Sequence, residues 1–134
     1  RPMQIGINIL IGYPTETEED FLKTCKFILF NQDVINYVNS CNHVGIAYDG
    51  RLHKMFKDNN EMNYIDGDNW ATAHSNPAIR FDRLSRMQAL LKKINLESSA
   101  YHYDKKLKDR PETWATFPAT NVTKSIDTSQ EAAR

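Results

Sequence analysis

The stretch INILIGYPTETEEDF, Ile7–Phe21, passes within fifteen residues from an apolar run to a Gly-Tyr-Pro turn and then to a cluster of acids. Ile5, Ile7, Ile9 and Ile11 alternate with Gln4, Gly6, Asn8, Leu10 and Gly12, and period-two alternation of β-branched residues predicts a strand. Its isoleucine side is expected to pack on helices. The other side carries Gly6, Asn8 and Gly12, which suits close approach of a ligand or the lumen of a barrel. Tyr13-Pro14 breaks the strand, and Thr15 with Glu18 fits a capping box. Glu16, Glu18, Glu19 and Asp20 load the first turn, where negative charge complements the helix dipole. Phe21, Leu22, Cys25, Ile28 and Leu29 recur at helical spacing, which predicts a helix over Glu16 to Phe30. Strand, turn and capped helix make one βα unit.

Working outward, a second strand is expected within Asn36 to Tyr48. In a regular register Asn39, Cys41 and His43 share one of its faces. Asp49-Gly50 marks a turn, RLHKMFKDNN a short helix, and EMNYIDGDNWATAHS a loop anchored by Tyr64 and Trp70. Asn76 as cap with Pro77 at the first position starts a long helix. Ile79, Leu84, Met87, Leu91 and Ile94 form its core stripe, and Arg80, Arg83, Arg86 and Lys93 read as a basic, solvated face. Beyond Ser98 the periodicity fades, so residues 1–97 are expected to form the folded part and 98–134 an irregular tail. Trp114 and the sequon Asn121-Val122-Thr123 fall in that tail.

The bulk numbers narrow the function. The 134 residues are 40% hydrophobic and 25% charged, with 17 basic and 17 acidic side chains. That balance fits one ordinary globular domain and gives no electrostatic footprint for nucleic acid or an anionic membrane. No apolar run is long enough to span a bilayer. Cys25 and Cys41 lack the spacing of a disulfide framework or a metal site, which favours a reducing, cytoplasmic setting. The entry into an apolar strand directly after RPMQ reads as a piece of a longer protein.

The run ILIGYPTETEEDF resembles the fifth strand and following helix of the radical S-adenosylmethionine enzymes, whose versions often read I-x-G-x-P-G-E-T-E-E-D-F. Leu10, Gly12, Pro14, Glu16, Thr17, Glu18, Glu19, Asp20 and Phe21 fall in place. The later NPAIRFDRLSRMQALL is similar to the segment that closes the barrel in the subgroup often carrying a cobalamin-binding domain. The resemblance covers residues 6–96. It implies an α/β fold, the C-terminal part of a partial (β/α)6 TIM-like barrel. It also implies a 4Fe-4S cluster, bound S-adenosylmethionine and, for the subgroup, cobalamin. Asn8, Leu10, Gly12 and Glu16 would then face the cofactor and Asn39 and His43 the substrate, with no catalytic residue assigned.

Three departures qualify the match. The cluster motif CxxxCxxC is absent and is expected before Arg1, Thr15 replaces the usual glycine after the turn proline, and Asn8 replaces the first glycine of the strand. The implied partner is the N-terminal half of the same barrel, without which the chain would be inactive. The alternative from the residues alone is a non-enzymatic α/β interaction module, docking a partner through its basic helix or its strand edge or associating with itself through that edge. A flavodoxin-like domain is weaker, since no glycine-rich phosphate loop follows the first strand.

Overall fold

The computed structural model describes residues 3–96. The tail, with Tyr101 to Phe117 and the sequon, lies outside the described residues. The order of elements is β1 (Gly6–Ile11), α1 (Glu18–Phe30), β2 (Tyr37–His43), α2 (Arg51–Lys57), β3 (Asn63–Tyr64), β4 (Trp70–Ala71) and α3 (Pro77–Lys93). These residues make a small α/β protein with three helices and short strands.

β1 and β2 pair in parallel across α1, giving one βαβ unit, while β3 and β4 form a separate antiparallel pair. α1 and α3 cover one face of β1–β2. Ile9, Ile11, Val38 and Cys41 on that face meet Phe21, Cys25, Ile28 and Leu29 of α1 and Leu84, Met87, Leu90 and Leu91 of α3. The isoleucine face of β1 is buried as its alternation predicts from Ile9 onward, whereas Ile5 at the strand's start is exposed. A second cluster, Val44, Ile46, Phe56, Met62 and Trp70, packs α2 and the β3–β4 hairpin together. The stretch expected as a loop thus contains two short strands, Tyr64 pairing with Trp70.

Both long helices begin at side-chain caps. Asn76 Oδ1 accepts from the Ile79 N–H at 2.8 Å and Pro77 takes the first position, as the sequence predicts. α1 differs from expectation. Its cap is Thr17, whose hydroxyl accepts from the Asp20 N–H while the Asp20 carboxylate accepts from the Thr17 N–H, both at 3.1 Å. The helix therefore starts at Glu18, two residues later than its charge pattern suggests. The reason is a tight turn in which the Glu16 N–H donates to the Tyr13 carbonyl at 2.8 Å, leaving Thr15 exposed and Glu16 outside the helix.

A bulge also shifts the register of β2. Ile7 pairs with Val38 but Asn8 pairs with Ser40, so Asn39 is the extra residue. Each residue after it moves to the opposite face from a regular strand. Cys41 and His43 consequently lie on the helix-covered side, opposite Ile9 and Ile11, and Asn39 does not share their face.

Candidate functional site

The face of β1–β2 turned away from the helices is bare among the described residues. It carries Gly6, Asn8 and Leu10 of β1 beside Tyr37, Ser40 and Asn42 of β2. At its centre the Asn8 side-chain oxygen accepts from Asn39 Nδ2 at 3.1 Å and from Ser40 Oγ at 2.9 Å. The bulge makes this possible by bringing two consecutive β2 side chains onto one β1 amide. Asn8 and Asn39, both singled out in the sequence, are thereby joined, and Ser40 is a third member that periodicity had not identified. Leu10 stands 63% exposed on the same face. The Tyr37 ring lies against Gly6 so closely that a Cβ there would collide with it.

Gly12 and Glu16 are placed differently, at the C-terminal rim of β1 and inside a network. Gly12 has φ +90°, and an added Cβ would sit 2.5 Å from Cγ and Cδ of Arg80. Its N–H donates to Glu16 Oε1 at 3.0 Å and its carbonyl accepts from Ser75 Oγ at 3.4 Å. Burial pushes the Glu16 carboxyl above its ordinary value, opposed by Arg83 and by the Gly12 N–H. Arg83 Nη1 donates to the Glu16 carbonyl at 2.9 Å and lies 3.2 Å from its carboxylate.

The basic side of α3, expected to be solvated, is instead largely buried. Arg80 is 0% and Arg83 2% exposed, and Arg86 turns in to grip Glu18 at 2.7 and 3.0 Å. Lys93 alone of the four basic residues is exposed. Arg80 stacks on Trp70 at 3.7 Å and donates to Ser75 Oγ and to the carbonyls of Asp68 and Trp70. The physical reason is a partner for each arginine: Glu16 and Glu18 of the β1–α1 region and Asp82 of α3 pair with Arg83 and Arg86, while Arg80 is held by Ser75, two carbonyls and the Trp70 ring. Arg80 also lies at helical spacing from Leu84, Met87 and Leu91, and that position on the core stripe was the available sequence signal.

His43 lies at the C-terminal end of β2, its Nε2 3.0 Å from Asp68 Oδ1. It thus ties the β3–β4 loop to the sheet and stands across the sheet from Asn8 and Asn39. His53, which no motif identifies, is buried in α2. Its Nδ1 accepts from the Asp49 N–H at 2.8 Å, and its ring lies 4.2 Å from that of Tyr64.

A recess of about 320 Å³ opens at the free edge of β1, lined by Ile7–Leu10 and by Thr24, Phe27 and Ile28 of α1. Cys25 and Cys41 are buried, and burial pushes both thiols up to about 12. Neither is a nucleophile in this state. Among the described residues no three His, Cys, Asp or Glu side chains are grouped to hold a metal, and no helix is long and apolar enough to cross a membrane. The chemistry available is hydrogen bonding from an oriented amide face beside an apolar recess. Comparison of the chain with models of known families, with curated proteins and with solved structures finds no match.

Proposed function

We propose that this chain forms part of a partial (β/α)6 TIM-like barrel of a radical S-adenosylmethionine enzyme, contributing wall and orientation. One observation carries the reading. Both helices that pack on β1–β2 lie on one side, and the opposite side presents Asn8, Leu10, Ser40 and Asn42 without a helix over them, with Tyr37 lying over Gly6. An inward barrel face needs such small and polar side chains beside a bound ligand, at strands whose outer face is apolar.

The chain's own residues do not fit the iron–sulfur cluster. Cys25 and Cys41 are its only cysteines and both are buried with raised thiols, so cluster ligands would come from elsewhere in the parent protein. They do fit the flank of a polar cofactor. Asn8, oriented by Asn39 and Ser40, would offer hydrogen bonds to it, and Leu10 would supply apolar contact. Gly12 and Glu16 would shape the turn that ends the strand, because their polar groups are already engaged by each other, Ser75 and Arg83. The cluster and S-adenosylmethionine supply the radical chemistry when bound. A reducing, cytoplasmic setting belongs to this reading and suits two unpaired thiols.

The test is made on the full-length parent, reconstituted anaerobically with iron and sulfide. Iron matching one 4Fe-4S cluster, with release of 5′-deoxyadenosine from S-adenosylmethionine under reductant, supports the reading. A well-folded parent with neither result ends it. A second reading, a non-enzymatic interaction module, is favoured by the uncovered edge of β1. Docking through α3 arginines does not suit it, since Arg80, Arg83 and Arg86 are engaged within the chain.

A further inference from the structure

Among the described residues β1 has one strand neighbour, β2. The carbonyls of Ile5 and Ile11 accept from the N–H groups of Asn36 and Val44 on the β2 side. Successive peptide groups of a strand point to alternate edges, so the backbone groups of Gly6, Asn8 and Leu10 face the open edge. An edge of this kind is a template for another strand. Beside it lies the recess bounded by Thr24, Phe27 and Ile28, and Phe27 and Phe30 of α1 stand 61% and 71% exposed.

We infer that a second copy of this chain occupies this edge. β1 pairs antiparallel with β1 of its partner about a two-fold axis at Asn8, making one four-stranded sheet. The inference does not rest on the barrel reading and is its alternative at this edge: a barrel would fill the same edge with another strand, whereas the chain by itself fills it with its own copy.

The sequence of β1 is self-complementary in this register. Asn8 meets its own copy, and Gly6 meets Leu10 of the partner as a second hydrogen-bonded pair. The protruding Leu10 side chain therefore meets the half-exposed Tyr37 ring, which itself lies over Gly6. On the helix side Ile7 faces the partner's Ile9. The two α1 helices flank each other over the central strands, which puts Phe27 of each against the other's recess. A patch containing both a knob and a hole is what an isologous contact requires. Leu10, Phe27, Phe30 and the strand edge amount to roughly 600 Å² per protomer, near the about 800 Å² a standard interface buries on each side. A dimer dissociating in the micromolar range is expected.

Sedimentation velocity on the 134-residue chain across a concentration series tests this, with circular dichroism to confirm that each variant is folded. The wild type should shift from monomer to dimer, and Phe27→Glu, an exposed change on α1, should remain monomeric. Met55→Lys, on the exposed side of α2, should dimerise as the wild type does. Asn8→Cys tests the register. Directly paired residues of this class lie about 5.5 Å apart at Cα, inside the disulfide range, so mild oxidation should crosslink that variant across the two-fold axis. The buried Cys25 and Cys41 should not contribute. A wild type monomeric at every concentration overturns the inference. So does a dimer that survives Phe27→Glu, or one in which Asn8→Cys fails to crosslink.

Discussion

Gly12 and Arg80 should be energetically inseparable, and a double-mutant cycle can show it. Gly12→Ala forces an L side chain into φ +90°, which costs about 1–2 kcal/mol. The new methyl would also lie 2.5 Å from Cγ and Cδ of Arg80. That stem cannot swing away freely, because its guanidinium is held by Ser75, Asp68 and Trp70. Overpacking of this kind adds about 1–3 kcal/mol, so the single substitution should cost about 2–5 kcal/mol. Arg80→Ala removes the obstacle, leaving the next atom, Cβ, at a tolerable 3.4 Å. It also strips the stack on Trp70 and the donors to two carbonyls, at about 4 kcal/mol. In that background Gly12→Ala should cost only the backbone term, so the double variant should be about 1–3 kcal/mol more stable than the sum of the singles. Urea unfolding of the four proteins, with sucrose raising the baseline where a variant is marginal, gives the four free energies. Coupling below about 0.5 kcal/mol would refute the claim that the arginine stem dictates glycine at position 12.

Other consequences follow from the acids and thiols. Thr17→Ala should cost about 1 kcal/mol through loss of the α1 cap, while Thr15→Ala should be nearly neutral by the same chemical unfolding. The Thr17 N–H, and then its hydroxyl, hold the Asp20 carboxyl below its ordinary 3.8. Its contribution is present above that value and lost as pH falls through the lowered native pKa, so Asp20→Asn should flatten the acid limb of the stability curve. Glu16 has the opposite sign, since burial raises it above 4.5. The native state keeps a proton that the unfolded chain releases, so wild-type stability should decline relative to Glu16→Gln as pH rises from 4.5 through the raised value. A constant difference between the two curves would remove burial as the dominant influence. Cys25 and Cys41 should react with a thiol reagent only as fast as the protein unfolds, and rapid labelling of the native chain would contradict their burial.

The legible parts of this fold are those set by neighbours in sequence. The β1 alternation, the α1 stripe from Phe21 to Leu29 and the Asn76-Pro77 start of α3 follow from local periodicity and local capping. The sequence alone does not choose the cap of α1, because Thr15-x-x-Glu18 and Thr17-x-x-Asp20 both have the form of a capping box. The choice is made by the Gly12 N–H and Arg83, which draw Glu16 out of the helix. The arginines of α3 looked solvated because their partners are distant in sequence, Arg83 meeting Glu16 and Arg86 meeting Glu18. At the candidate site, Asn8 and Asn39 are legible as polar residues within strands expected from the sequence. The side of the sheet on which His43 lies was not, since nothing in YVNSCNH announces a bulge.

The extra residue in β2 has a consequence for how this strand can change length. Val38 and Cys41 point inward although three positions separate them, so the strand carries a spare residue at 39–40. Loss of Asn39 would turn an irregular strand into a regular one with every inward side chain still inward. Loss of Val38 or Cys41 would remove an inward side chain itself. Of the positions in β2, this is where a gap would be absorbed most cheaply, and it is also where the amide of Asn8 would lose one of its two donors.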